Sequence, residues 1–166
     1  KLKEIIIALI FTALIRTLIG LVPAIILTAP LFGVSILELG FPLFLLFLSL
    51  YIFGITLGLF VSAGLIRFGP FFENIAWSSL FLLAPLGCIY YPIEILPNFF
   101  QIIAKGLPLV YIFDETRNIL LNDIVNYENL KQAYFLNLVY LIFGISLFCF
   151  SFLKARIKGT LINMGE

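Results

Sequence analysis

The residues that most often carry chemistry are few in this chain and far apart. Histidine is absent, and the two cysteines, Cys88 and Cys149, fall in separate apolar segments. A metal site or a Cys/His nucleophile pair needs such residues close together, so neither is predicted, and we expect both thiols to be buried and inert. No Gly-x-x-x-x-Gly-Lys-Ser/Thr loop for nucleotide phosphates is present. The sequence therefore predicts no catalytic residue, cofactor or metal in this chain.

The charged residues offer one local pair and no site inside an apolar segment. Asp114 and Arg117 are three residues apart, so in a helix they would share one face and could pair. None of the long apolar segments has an Asp or Glu in its interior, and such an acid is the usual proton or sodium site of a secondary transporter. An ion-coupled carrier is therefore disfavoured. Any energy for transport would come from another polypeptide.

The composition indicates a helical membrane protein. Hydrophobic residues make up 63% of the 166 residues, charged residues make up 11%, and the mean hydropathy is +1.18. A soluble domain cannot bury that much apolar surface. A helix needs about 20 residues to cross a hydrocarbon core of roughly 30 Å. Four uncharged windows are long enough and lack the alternation of a barrel wall, so we predict an all-α, polytopic protein with transmembrane helices at residues 17–37, 41–66, 74–93 and 133–153.

The N-terminal residues 1–16 need a separate place, because a single helix over residues 5–37 would be about 50 Å long. We predict a lead-in helix over residues 2–15 at the cytoplasmic interface, with Arg16 reaching the lipid headgroups. An anchoring role for Arg16 is favoured over a substrate-binding one. Pro23 and Pro30 would kink the helix that follows.

The distribution of Lys and Arg predicts the orientation. With the first window entering from the cytoplasm, seven cations lie inside and three outside. Both ends of the chain, including the tail at residues 154–166, are then cytoplasmic, and residues 94–132 face outward. The formal charge of +1 averages two different faces and says nothing about partners. The inner cations are Lys1, Lys3, Arg16, Arg67, Lys154, Arg156 and Lys158, the outer ones are Lys105, Arg117 and Lys131, and the outer acids are Glu38, Glu94, Asp114, Glu115, Asp123 and Glu128.

Small residues on the second window predict a packing face. Gly54, Gly58 and Ser62 are four residues apart, so they would lie on one side of the helix and let another helix approach closely. Packing within this chain is favoured, and a subunit interface is the other interpretation.

The segment between the last two windows, residues 94–132, is apolar but contains no run long enough to span a bilayer. Two short helices fit it, roughly residues 97–105 and 108–121, each with a proline in its first turn, where the missing N–H does no harm. The pair can be re-entrant, covered by protein at membrane depth. It can also be an amphipathic hairpin lying flat on the outer leaflet.

Ten residues between positions 85 and 117 form an ordered pattern, namely Pro85, Gly87, Tyr91, Pro92, Leu96, Pro97, Pro108, Tyr111, Asp114 and Arg117. This pattern resembles the C-terminal part of an ABC-2 type transporter permease. In that family the penultimate transmembrane helix carries a proline and small residues, a Tyr/Phe-Pro pair ends it, and a Leu-Pro opens a short re-entrant helix. A Pro-x-x-Tyr and an acidic-x-x-Arg mark a second one. The resemblance makes these residues candidates for an exit gate and favours the re-entrant interpretation.

The resemblance implies the membrane-spanning subunit of an ABC exporter, working as a homodimer or as a heterodimer with a second permease. Its substrate would be an amphipathic molecule, lipid, drug or polysaccharide moved outward across the inner (plasma) membrane. ATP and Mg would be bound by a separate ABC ATPase subunit, and no nucleic acid is implied. The lipid bilayer is the other partner. Candidates for the cytoplasmic interface are Arg16, Arg67, Phe71 and Phe72, although phenylalanine beside a charge is expected of any turn at a membrane surface.

The start of the sequence bears on how much of such a permease is present. The chain begins Lys-Leu-Lys, without an initiator Met or a small-residue cleavage site. We expect four of six transmembrane helices, with the N-terminal pair and most of a cytoplasmic element missing. The alternative from a different class is a non-transporting four-helix membrane scaffold or assembly factor, which the absence of intramembrane charge permits.

Overall fold

A computed structural model describes residues 2–33, 40–122 and 125–158, and this part of the chain contains helices and no strand. The prediction of an all-α protein is confirmed, with 88% of the described residues helical. A single 3₁₀ turn, Ile93–Ile95, is also present in this part. The α-helices are α1 (Leu2–Phe32), α2 (Phe41–Phe68), α3 (Phe71–Leu86), α4 (Asn98–Ala104), α5 (Pro108–Asn122) and α6 (Tyr127–Lys158).

Among the described residues, three helices are long and apolar enough to cross a membrane, which supports a membrane protein. They contain the segments Ile10–Thr28, Phe41–Phe68 and Tyr127–Ile157. The predicted windows 41–66 and 133–153 lie within α2 and α6. The end of the first window, residues 34–37, lies outside the described residues, as do Lys1, Glu38, Asp123 and the tail beyond residue 158.

Helix α1 differs from the prediction because it has no break at Arg16. It runs unbroken for 31 residues and contains both Pro23 and Pro30. The residues before Pro23 include no proline and only one glycine, Gly20, so nothing in that stretch ends a helix. The predicted lead-in at residues 2–15 is therefore the first part of one helix and not a helix of its own.

Helix α3 is shorter than the predicted third window, 74–93. It begins at Phe71, three residues earlier, and ends at Leu86, seven residues earlier. Its 16 residues give a length of about 24 Å, less than the roughly 30 Å of a hydrocarbon core. The structure therefore does not establish a fourth membrane-spanning helix.

The chain divides into two compact units, one up to Phe47 and one from Leu48 onward. The first contains α1 and the start of α2. The second contains the rest of α2 and helices α3 to α6, and therefore all of the residues in the pattern from Pro85 to Arg117.

In the second unit, α2 and α6 pack through small and polar residues. The buried Asn137 donates from Nδ2 to the carbonyl oxygen of Ser49 at 2.9 Å and to its Oγ at 2.8 Å. A Cβ added at the buried Gly144 would lie 3.6 Å from Cγ2 and the carbonyl oxygen of Thr56. Phe60 and Phe143 meet with ring centroids 5.8 Å apart. This seam, and its buried polar pair in particular, was not predicted from the sequence.

The packing face predicted at Gly54, Gly58 and Ser62 is not the face that α2 uses against α6. Gly54 and Gly58 are exposed, and a Cβ added to either would meet nothing within 4 Å. Ser62 is half-buried. The close approach is made instead by Gly144 of α6. Within the described residues, the prediction that Gly54 and Gly58 pack against another helix of this chain is therefore wrong. The other interpretation, a subunit interface, stays a prediction.

Helix α5 is amphipathic and packs along α6. Its buried positions recur at helical spacing, so they form one stripe down the helix. The stripe is apolar except for one acid. Its members are Pro108, Leu109, Val110, Ile112, Glu115 and Ile119.

Candidate functional site

Helix α3 ends at Leu86, and a hydrogen-bonded turn closes this end. The N–H of Cys88 donates to the carbonyl oxygen of Pro85 at 3.1 Å, and the N–H of Ile89 donates to that of Ala84 at 3.4 Å. Cys88 has a positive φ of 53°. These are the two hydrogen bonds and the left-handed residue of a Schellman motif, which ends a helix. The left-handed position is usually glycine, but here it is Cys88, the residue after Gly87, so this helix end has no clear signal in the sequence.

The segment after α3, residues 87–97, folds back onto the helix and onto α5. Tyr91 donates its hydroxyl to the carbonyl oxygen of Pro85 at 2.9 Å. Gly87 is buried, and a Cβ there would lie 2.9 Å from Cδ1 of Leu109. Because a larger residue would displace Leu109, glycine at this position allows α5 to approach the end of α3. Three residues of the predicted pattern, Pro85, Gly87 and Tyr91, are therefore in one cluster.

Arg117 holds this non-helical segment. Its Nη1 donates to the carbonyl oxygens of Cys88 at 2.9 Å and of Tyr91 at 3.0 Å. Asp114 is farther away, with Oδ1 at 4.0 Å from Nη2 of Arg117. The predicted Asp114–Arg117 pair is thus present at the limit of an ion pair, but the short contacts of Arg117 reach residues 26 and 29 positions away in the chain. Its Nη2 is buried and has no hydrogen-bond partner among the described residues.

Helix α4 begins at Asn98, one residue later than predicted, so the predicted proline stands just before its first turn. Pro97 is its N-cap, and its carbonyl oxygen accepts from the N–H groups of Phe100 at 2.8 Å and Gln101 at 3.1 Å. Gln101 also donates from Nε2 to the carbonyl oxygen of Leu96 at 2.8 Å. Pro92 is the N-cap of the 3₁₀ turn before it, and Leu96 is the C-cap of that turn.

Helix α5 starts at a proline, as predicted, and two tyrosine hydroxyls donate hydrogen bonds to the turn before it. Pro108 is the first residue of α5 and is fully buried. Tyr111 donates its hydroxyl to the carbonyl oxygen of Lys105 at 3.0 Å. Tyr140 of α6 donates to the carbonyl oxygen of Gly106, also at 3.0 Å. Tyr140 was missed from the sequence because it lies 34 residues away from its acceptor.

A small apolar core joins these parts. Cys88 and Ala104 are completely buried, and Val110 is 4% exposed. They bring together the end of α3, helix α4 and the first turn of α5. Partly buried side chains that pack against them are Tyr91, Ile93, Leu96 and Leu107.

The thiols differ from the prediction in two ways. Cys88 lies beyond the end of α3 rather than within a helix, and its thiol is buried. Cys149 is exposed on α6, so the prediction that both thiols are buried is wrong for this residue.

Glu115 is a second anchor, which the sequence reasoning missed. Its side chain is completely buried. Oε1 accepts from the N–H of Asn126 at 2.6 Å, and Oε2 accepts from Nδ2 of Asn129 at 3.2 Å. Asn126 in turn caps α6, because its Oδ1 accepts from the N–H of Glu128 at 3.0 Å. The spacing of Ile112, Glu115 and Ile119 places Glu115 on the buried stripe of α5. This spacing is the signal in the sequence from which a buried acid could have been predicted.

One side of the segment formed by α4 and the 3₁₀ turn is apolar and uncovered in the described residues. Tyr90, Ile95, Phe99 and Ile102 are each at least 66% exposed. Exposed side chains of this size favour contact with lipid or with another membrane protein.

The four residues predicted for the cytoplasmic interface have different surroundings. Arg16, Arg67 and Phe71 are exposed. Phe72 is half-buried, packs over Gly64 of α2 and stacks on Phe68, with ring centroids 5.7 Å apart. Phe72 therefore stabilises the α2–α3 turn and is less available to a partner than the other three.

The described part of the chain offers anchors for the backbone and no group of three His, Cys, Asp or Glu residues that could hold a metal ion. The arrangement fixes a non-helical segment between apolar helices, with Arg117 on one side of α5 and Glu115 on the other. Comparison of the chain with protein-family models, curated proteins and solved structures gives no match.

Proposed function

We propose that the chain is part of the membrane-spanning subunit of an ABC exporter of the ABC-2 type. The proposal rests on the cluster formed by Pro85, Gly87, Tyr91 and Arg117. These residues were selected from the sequence pattern that resembles the family, and in the structure they contact one another or the same segment. The proposed site has no catalytic role. It shapes the outer end of a transport pathway.

The contacts of Arg117 suit a segment that enters the membrane. Non-helical backbone at membrane depth is tolerated only where its polar groups are satisfied and covered by protein or face a water-filled cavity. Arg117 satisfies two such carbonyl groups, those of Cys88 and Tyr91. The apolar side chains exposed on α4 would then contact the lipid. A re-entrant pair, α4 and α5, follows from this proposal, with α3 as the fourth membrane helix.

The orientation is also part of the proposal. The inner membrane holds the chain with both ends cytoplasmic and α4 and α5 outside. With Cys88 and Cys149 replaced, a Cys introduced at Asn126 reacts with a membrane-impermeant maleimide in intact cells. Reaction at a Cys placed at position 159, and none at position 126, would invert the orientation.

The energy comes from an ABC ATPase subunit that binds ATP and Mg. The permease forms a homodimer or a heterodimer with a second permease. The contact we propose for the ATPase is the exposed Phe71 at the start of α3. The full-length protein purified alone hydrolyses no ATP, and it forms a stable complex when co-expressed with its ATPase. Transport driven by a proton or sodium gradient in the absence of the ATPase would contradict the assignment.

Substitutions at the site test the exit-gate role directly. Pro97→Ala and Pro108→Ala loosen the start of α4 and α5 without removing a membrane helix, so export falls while membrane insertion and ATPase binding persist. Arg117→Gln removes both carbonyl contacts, and Arg117→Glu adds repulsion toward Asp114 and is worse. Lys131→Gln is the matched control, since Lys131 is exposed and pairs with the exposed Glu128. Export is normalised to protein abundance, and wild-type export in all four site variants would make this segment a passive surface hairpin.

A non-transporting membrane scaffold is the second candidate, and one observation favours it. The α2 face with Gly54 and Gly58 is open, which would allow a helix of another protein to approach closely. Failure of the full-length protein to bind any ATPase, together with retained binding to another membrane protein through this face, would support the scaffold.

A further inference from the structure

Helices α2 and α6 run parallel, which places their C-terminal ends together. The hydrogen bonds between Asn137 and Ser49 join residues 88 positions apart. The contact of Gly144 with Thr56 has the same spacing, one heptad farther along both helices. An unchanged spacing along two helices means that they run in the same direction.

This register brings three cations to one level. Continued along both helices, the spacing of 88 aligns Arg67 with Ala155, and Ala155 is 5% exposed. Successive helix residues are about 100° apart, so Lys154 and Arg156 project on either side of the buried Ala155. All three cations are exposed. They form a basic collar, which we define as Arg67, Lys154 and Arg156, around the end of the α2–α6 pair.

The charge of the collar is not neutralised by the described residues. No described carboxylate lies within 4.0 Å of any of its three members. The ion pairs among the described residues are Asp114–Arg117 and Glu128–Lys131. Glu73, in the first turn of α3, is the nearest acid in the sequence to Arg67 and is exposed. Two of the three cations stand beside aromatic rings. Arg67 Cζ lies 5.4 Å from the ring centroid of Phe68, and Lys154 Nζ lies 5.8 Å from that of Phe150.

We propose that the basic collar binds the phosphate-containing headgroups of anionic phospholipids. The cations stand where two apolar, membrane-length helices end, so they lie at the depth of headgroups. Guanidinium groups bind phosphate oxygens in pairs, and an ammonium adds a point charge. Phe150 is exposed one turn before Lys154 and contacts the upper parts of the acyl chains. Phe68, which directly follows Arg67, is exposed at the level of the headgroups. The proposal does not rest on a transport function.

The test measures the binding of phosphatidylglycerol and phosphatidylcholine to the full-length protein in detergent, by native mass spectrometry. Phosphatidylglycerol binds more tightly than phosphatidylcholine. The triple variant R67Q/K154Q/R156Q loses about fivefold in phosphatidylglycerol affinity for each cation removed, roughly 100-fold in all, with phosphatidylcholine binding unchanged. The control K105Q/K131Q removes two exposed cations away from the collar, since Lys131 is near the start of α6 and Lys105 adjoins Gly106, which contacts Tyr140 in the middle of α6. It retains wild-type affinity for both lipids.

Four results would overturn the proposal. Equal affinity of the wild type for the two lipids would show no recognition of the headgroup charge. An equal loss in the control variant would show a non-specific charge effect. A triple variant that binds phosphatidylglycerol normally but no longer binds an ATPase subunit would assign the collar to a protein partner. Retention of phosphatidylglycerol in excess inorganic phosphate supports a lipid site, whereas displacement by phosphate would indicate a site for the free anion.

Discussion

Replacing Glu115 should release the start of α6. The carboxylate accepts from the N–H of Asn126 at 2.6 Å and from Asn129 at 3.2 Å, in a completely buried position. In Glu115→Ala the N–H of Asn126 loses its charged acceptor, whereas Asn129 keeps Asp114 Oδ2 at 3.3 Å. The loss is therefore mainly that of one hydrogen bond to a charged group, about 1.5–3 kcal/mol. Glu115→Gln retains an acceptor oxygen for Asn126, so it should lose less.

Hydrogen–deuterium exchange of the first turn of α6 measures this loss where it occurs. A local destabilisation of about 1.5–3 kcal/mol corresponds to exchange that is roughly 10 to 150 times faster. The matched control is Asp114→Asn, because Asp114 is the neighbouring acid and its side chain is 40% exposed. Unchanged exchange in Glu115→Ala would refute the role of Glu115 as an anchor. Equal acceleration in Asp114→Asn would show that the charge of the region, and not the buried contact, stabilises the turn.

The remaining predictions concern the α2–α6 seam and the thiols. Asn137→Ala should lower the stability of the folded protein in detergent by about 0.5–1.5 kcal/mol, seen as a lower unfolding temperature, because the polar contact is lost. Gly144→Val should lower the free energy of unfolding by about 1–3 kcal/mol, because the larger side chain overpacks the seam. Gly58→Ala should leave it nearly unchanged, since its added Cβ meets nothing within 4 Å. Equal effects of the two substitutions would mean that the seam is not at Gly144. A small maleimide should label Cys149 in the folded protein in detergent and Cys88 only after unfolding, so rapid labelling of Cys88 would contradict its burial.

Local signals in the sequence predicted helix starts well and helix partners poorly. Pro97 and Pro108 mark the beginnings of α4 and α5 because proline suits a first turn whatever surrounds it. The end of α3 was missed because Cys88, not Gly87, takes the left-handed position. Arg117 was assigned to Asp114, its neighbour on the same helix, because spacing along a helix gives only local partners. Its carbonyl acceptors belong to a segment that folding brings close.

Packing between helices was predicted least well, for a related reason. The four-residue spacing of Gly54 and Gly58 shows that they share a face but not that a helix covers it. Glycine is frequent in membrane helices in any case. Gly144 has no such spacing and is the glycine that α2 contacts. Similarly, Asn137 and Glu115 interrupt apolar stripes, and only the neighbouring helix or loop shows what they bind.

The seam between α2 and α6 has a consequence for the order in which the protein assembles. Ser49 and Asn137 are 88 residues apart, so at a synthesis rate of about 5–20 residues per second the second partner appears about 4–18 s after the first. Helix α2 must therefore enter the membrane and wait without its partner. Helix α5 is adjacent to α6 in the chain and can pack on it at once, so α6 is expected to reach α2 together with α5. A mutation that slows this late docking would leave a polar face of α2 open to membrane quality control, even if the finished protein were fully stable.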